Sequence, residues 1–156
     1  MKIAGIINSS LVNGKGMRTV IFTTGCKHAC EGCHALELQD FNYGVDMTVD
    51  EIMDKLRVNM VLNDGITISG GDPFCKPLEL MELLEAIKKE FPDKSIWVYT
   101  GYVYEELIGD TNTQILKLID VLVDGKFEKD KTKDAKKYTG SSNQRILKLV
   151  NGSIVK

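Results

Sequence analysis

Three cysteines fall within one short segment, Gly25-Cys26-Lys27-His28-Ala29-Cys30-Glu31-Gly32-Cys33, at the spacing C-x3-C-x2-C. A fourth, Cys75, stands well apart from them. A disulfide stabilises more as it closes a longer loop, so thiols this crowded make poor staples. Thiolates are also soft metal ligands. Three on one short loop can ligate three irons of a cubane 4Fe-4S cluster and leave the fourth iron without a protein ligand, whereas ordinary electron-transfer clusters are held by four cysteines. An open iron can take a substrate or cofactor, by the logic that separates open catalytic zinc sites from closed structural ones. Gly25 and Gly32 let the backbone wrap closely around such a group. The same thiols could hold zinc, with His28, His34 or Cys75 as a fourth ligand. On spacing alone both readings stand.

The elements that must position this loop are legible on either side of it. Arg18 to Thr24 is β-branched and aromatic and runs straight into the cysteines, as a strand would. Thr48-Val49-Asp50-Glu51 has the form of a capping box, and Ile52, Leu56 and Met60 follow at four-residue spacing, so a helix is expected over about 48–61. Gly65 to Ser69 reads as a short buried strand ending in Gly70-Gly71-Asp72-Pro73. A second helix starts at Pro77, carries an apolar stripe of Leu80, Leu84, Ile87 and Phe91, and stops at Pro92. Ser95 to Thr100 and Asp120 to Asp124 are two more strands, each ended by glycine, with short helices near 103–108 and 112–119 between them. Asn151-Gly152 between two apolar runs signals a C-terminal hairpin with a type I′ turn.

Strands alternating with helices argue for an α/β fold with a mainly parallel sheet. In such sheets ligands sit beyond the carboxyl ends of the strands. That edge would gather the cysteine loop, Gly70-Gly71-Asp72, Thr100-Gly101 and Asp124-Gly125-Lys126. Trp97, Val98 and the Leu80, Leu84, Ile87 stripe are expected in the core, and Tyr102 and Tyr104 at the surface or against a partner.

Composition narrows the function classes. At 156 residues the chain fits one domain, 1–156, and is too short for a full eight-fold barrel of about 250 residues. Twenty basic against twenty-two acidic side chains give no global field to hold nucleic acid or an anionic membrane. The first eight residues carry an apolar patch without the longer core or cleavage site of a secretory leader, so a cytoplasmic protein is expected. From Lys126 to Lys137 the apolar pattern stops and lysines dominate, which reads as a solvated loop or a docking patch.

The cysteine spacing resembles that of the radical S-adenosylmethionine (SAM) superfamily, and Gly70-Gly71-Asp72-Pro73 resembles its second motif, more often Gly-Gly-Glu, which holds the amino group of SAM. Further segments are similar to the activating proteins of anaerobic ribonucleoside-triphosphate reductases. These are Asn13 to Arg18, Trp97 to Tyr102, Val123 to Glu128 and Gly140 to Arg145. The resemblance runs from about residue 5 to 150 and implies an abbreviated partial (β/α) barrel. It implies a 4Fe-4S cluster on Cys26, Cys30 and Cys33, and SAM held near Gly32, Gly70, Gly71 and Asp72. In glycyl-radical activases an Asp-x-Lys at a strand end lies beside SAM, the Asp helping to bind a monovalent cation. Asp124-Gly125-Lys126 fits that pattern, with Thr100 as a second contact. Cys75 is then a bystander, because a fourth thiolate would close the iron that SAM needs, and His28 or His34 could tune the cluster through hydrogen bonds.

The activity so implied is reductive cleavage of SAM and formation of a glycyl radical on the reductase. The electron would come from a donor such as flavodoxin or ferredoxin, and the assembly would be a homodimer or a heterotetramer with the reductase. Lys126 to Arg145 is the expected docking surface. Three other readings are a sister activase of pyruvate formate-lyase type, a small-molecule radical SAM enzyme of the deazaguanine synthase group, and a zinc-binding interaction module.

Overall fold

A computed structural model describes residues 1–33 and 35–155. Its elements are β1 (Lys2–Ser10), β2 (Arg18–Thr23), β3 (Val45–Asp46), α1 (Val49–Arg57), β4 (Gly65–Gly70), α2 (Pro77–Glu90) and β5 (Ser95–Tyr99). Then follow α3 (Tyr104–Leu107), α4 (Asp110–Leu116), β6 (Val121–Asp124), β7 (Arg145–Val150) and β8 (Ser153–Ile154). The strands form one sheet in the order β3-β1-β2-β4-β5-β6-β7-β8. Its centre, β2-β4-β5-β6, is parallel, with Val20, Thr67, Trp97 and Val121 in one cross-strand row. Both flanks are antiparallel: β1 and β3 on one side, β7 and β8 on the other. The sheet is open, with β3 and β8 as its edges, so the mainly parallel sheet expected is a parallel segment inside a mixed one.

Local chemistry accounts for most boundaries. Thr48 Oγ1 accepts from Glu51 N–H and Glu51 Oε1 accepts from Thr48 N–H, both at 3.1 Å, which satisfies two orphan donors at the start of α1. The helix ends at Arg57, short of the expected 61, because Asn63 is drawn elsewhere. Its Nδ2 donates to Asn8 O (2.7 Å) and to Thr19 Oγ1 (2.6 Å), pulling the chain back onto β1 and β2. Asn151 (φ 51°) and Gly152 (φ 83°) make the expected left-handed turn between β7 and β8.

The helices cover one face of the sheet. Ile52 and Leu56 of α1, Leu80, Leu84 and Ile87 of α2, and Ile115 and Leu116 of α4 meet Ile21, Ile66, Ile68, Ile96, Val98 and Leu122, all buried. The opposite face is closed differently. Residues 126–144 pass across it, and Tyr138 packs on Trp97, Val121 and Val123, with its carbonyl accepting from Tyr99 Oη (2.7 Å). Under this face lies Arg18, 1% exposed, whose guanidinium makes five hydrogen bonds to Thr67, Lys15, Ile66 and Ser95. Every acceptor is neutral, and burial pulls its pKa down to about 10. The guanidinium ties β2, β4 and β5 at the end opposite the cysteines.

Candidate metal centre

The carboxyl ends of β2, β4, β5 and β6 share one edge, and backbone hydrogen bonds stitch together the loops that leave them. Gly71 N–H donates to Thr23 O (3.0 Å) and Asp72 N–H to Gly25 O (2.9 Å), which fastens the exit of β4 to the start of the cysteine loop. Gly25 N–H and Cys26 N–H donate to Leu38 O (2.7 Å) and Gln39 O (3.2 Å), so the loop closes on its own return. Thr100 N–H reaches Val123 O (2.9 Å), joining β5 to β6. A Cβ on Gly71 would lie 2.5 Å from Leu38 O and 2.6 Å from Gly25 O, so this junction admits only glycine.

Cys26, Cys30 and Cys33 are unpaired, half-buried and on one turn of chain, which Ala29 (φ 49°) and Gly32 (φ 74°) bend through left-handed conformations. Burial pushes the Cys26 thiol up to about 11, against the His28 backbone N–H donated to its sulfur. Asp72, Cys75 and Cys30 raise it further. Such a thiolate is costly alone and is relieved by a bound cation. Burial also pushes the Cys75 thiol up, while its sulfur accepts from Lys27 N–H and from the Tyr102 hydroxyl.

Asp72, 1% exposed, is the hub of the edge. Its Oδ1 accepts from Phe74 N–H (3.0 Å), its Oδ2 from Gly101 N–H (2.8 Å), and Thr100 Oγ1 lies 2.9 Å from both oxygens. His28 Nε2 stands 2.5 Å from Oδ2. The His28 ring also meets Tyr102 edge-on, with centroids 4.5 Å apart.

Asp124, fully buried, accepts from Tyr104 N–H (2.7 Å) and from Arg145 through Nε (3.0 Å) and Nη2 (2.5 Å). Lys126 is exposed beyond it. The structure therefore gathers the expected residues at one edge but turns two of them, Asp72 and Asp124, into hydrogen-bonded hubs. Gly32 lies against the lysine-rich segment, where an added Cβ would meet Lys129 Cβ at 3.2 Å, and Lys129 pairs with Glu31 at 2.5 Å. His34 lies outside the described residues.

Two participants, Tyr102 and Arg145, were not marked as such by the sequence, and Gly101, expected at this edge, has a specific part in it. Tyr102 turns inward onto His28 and Cys75, Arg145 neutralises Asp124, and Gly101 seats the His28 ring. Nothing in periodicity or spacing identifies such contacts, since each depends on two strand ends meeting. A hollow of about 430 Å³ lined by Ile3, Met47, Glu51 and Lys55 lies at the β1–β3 edge and offers no convergent chemistry.

The donor set fits a cluster better than a closed zinc site. Three soft thiols are unpaired on one loop, while of the described fourth-ligand candidates His28 is held against Asp72 and Cys75 lies on a separate segment.

Comparison with known proteins agrees. A family model described as a 4Fe-4S single cluster domain matches residues 12–147. An anaerobic ribonucleoside-triphosphate reductase-activating protein of Pasteurella multocida is 41% identical over 148 residues, covering 90% of this chain and 93% of that protein. Proteins of the same name from Escherichia coli K12 and phage T4 are 39% and 38% identical, covering 89% and 90% of this chain and 93% and 90% of their own lengths.

Proposed function

The chain belongs to the family of anaerobic ribonucleoside-triphosphate reductase-activating proteins, and from that premise we propose that it is the radical SAM activase of such a reductase. The reading is carried by one observation. Three unpaired thiols lie on a single loop, at the sheet edge where Gly70-Gly71-Asp72, Thr100 and Asp124 converge.

Cys26, Cys30 and Cys33 hold a 4Fe-4S cluster with one iron left open. Gly32, Gly70, Gly71, Asp72, Thr100, Asp124 and Lys126 form the surround in which SAM is held, with a monovalent cation near Asp124. Held there, a cluster would supply the one electron needed to cleave the SAM sulfonium to methionine, and the adenosyl group so freed would take a hydrogen atom from a glycine α-carbon of the reductase. The chain's own residues act as neither acid nor base in this. They fix the loop, orient SAM and exclude competing hydrogen donors. The open sheet is then an abbreviated partial barrel of the radical SAM type, one domain over 1–156, whose uncovered side admits a loop of the large partner. A cytoplasmic setting with a flavodoxin or ferredoxin as electron donor completes the reading. Among the described residues no helix is long and apolar enough to cross a membrane.

The test is anaerobic incubation of the iron-loaded protein with the reductase, SAM and a reduced flavodoxin. A glycyl-radical EPR doublet on the reductase that requires SAM is expected. SAM turnover without that signal would reject this partner.

A further inference from the structure

The pair β6–β7 runs in antiparallel register from Val121 opposite Lys148 to Asp124 opposite Arg145. Beyond that row the backbone ladder stops, because Gly125 takes a left-handed φ of 100° and turns its N–H to Tyr102 O (3.0 Å). Side chains of the facing segment then continue the same register. Arg145 holds the Asp124 carboxylate through Nε (3.0 Å) and Nη2 (2.5 Å), Gln144 Nε2 donates to Gly125 O (3.0 Å), and Asn143 Nδ2 donates to Lys126 O (2.7 Å). Three consecutive side chains thus grip three consecutive residues, and these form the Asp124-Gly125-Lys126 turn of the SAM surround.

The grip is itself braced. Gln144 Oε1 accepts from Gly140 N–H (2.7 Å) and Ser141 N–H (3.3 Å), and the buried Ser141 hydroxyl accepts from Glu128 N–H (3.2 Å). Arg145 Nη2 reaches on to Glu105 of α3 (2.8 Å). Asn143 Oδ1, by contrast, is out of water with no partner among the described residues. An orphaned buried acceptor lowers stability, so stability alone does not account for the Asn143 amide. What that amide fixes is the main chain of Lys126, whose side chain is exposed past the buried Asp124. Within the proposed surround Lys126 is the one cation, and the carboxylate is the one anionic group that SAM offers it.

We propose that Asn143, Gln144 and Arg145 are positioning residues for SAM: by locking the turn Asp124-Gly125-Lys126 they place Lys126 to pair with the SAM carboxylate. This deepens the functional reading above and rests on it. The three residues act through Lys126 and need not touch SAM themselves. A turn ordered in advance does not have to be ordered when SAM binds, and affinity rises accordingly.

The experiment measures SAM affinity of the iron-loaded protein from the change in its EPR spectrum, together with amide hydrogen exchange of the cluster-free protein. Gln144→Ala and Arg145→Met should each weaken SAM binding by about tenfold, the scale of one charge-assisted contact, and Asn143→Ala by somewhat less. Lys126→Met should weaken it at least as much, and adding Gln144→Ala to Lys126→Met should go no further. In the cluster-free protein Gln144→Ala should speed exchange of the Gly125 N–H, whether or not the wild type takes up iron. Asn63→Ala, which loosens β1 and β2 at the opposite end of the sheet, should leave SAM affinity unchanged. Arg145→Met leaves Asp124 buried without its cation, and if it fails to fold, Gln144→Ala and Asn143→Ala carry the comparison. Full SAM affinity in Gln144→Ala despite faster Gly125 exchange would overturn the proposal, as would a further loss on top of Lys126→Met or an equal loss in Asn63→Ala. An unmoved Gly125 exchange would remove the clamp itself. A wild type whose spectrum ignores SAM rejects the functional reading and this proposal together, whereas the other outcomes leave that reading standing.

Discussion

Substitution of Gly101 by alanine is the most direct physical probe of the edge. Gly101 lies outside the left-handed region, so its backbone accepts any L-residue and the substitution carries no conformational strain of its own. Its N–H to Asp72 is also kept. The added methyl would sit 2.6 Å from His28 Cδ2 and 2.8 Å from Nε2, well inside van der Waals contact. The ring cannot retreat without leaving Asp72. Overpacking of this kind costs about 1–3 kcal/mol. For a chain of this length that is a fall of roughly 2–12 °C in the melting temperature, at about 2–4 °C per kcal/mol. The assay is a thermal melt by circular dichroism in two backgrounds. On wild type the full fall is expected. On His28→Ala the methyl enters the space the ring has left and costs almost nothing, so the two changes are strongly non-additive. An equal fall in both backgrounds would refute the reasoning, because the methyl would then be meeting something other than the ring.

Three further outcomes are expected. Cys30→Ser should lose iron and sulfide after anaerobic reconstitution, while Cys75→Ser, on a segment separate from the three-cysteine loop, should keep both; loss of the cluster in Cys75→Ser would make it a ligand. In the cluster-free protein, alkylation of Cys26 by iodoacetamide should climb about tenfold per pH unit and level off only near pH 11, since burial keeps the thiol protonated below that value; a plateau by pH 9, read by peptide mass spectrometry, would contradict this. Replacing Lys129, Lys131 and Lys133 with glutamate should weaken binding to the reductase at low salt and leave cluster content unchanged, and unaltered affinity by surface plasmon resonance would remove the docking role.

Much of this fold is legible because the signals are local. Thr48 and Glu51 form their capping box wherever they fall, Pro77 fits a first helical turn, and Asn151-Gly152 takes the left-handed turn that its residue types favour. The four parallel strands announce themselves as β-branched runs ended by glycine. β1 does not, because Gly5 and an irregular register against β2 break its alternation, and its pairing depends on a strand that follows it in sequence. The segment 126–144 reads as solvated from its lysines, yet Tyr138 turns it into the cover of one sheet face. At the site, cysteine spacing points to the proposed ligands, because metal chemistry constrains sequence directly. The partners of Asp72 and Asp124 come from other strand ends and a β7 arginine, and no short-range pattern encodes them.

The central claim is an open-iron cluster on Cys26, Cys30 and Cys33. It is tested most directly by iron, sulfide and zinc analysis of the anaerobically prepared protein, with EPR of the reduced sample before and after SAM. About four irons and four sulfides per chain, and a spectrum that changes when SAM is added, are the result predicted from the three-thiol donor set. One zinc per chain, with no cluster after reconstitution and no response to SAM, would contradict it.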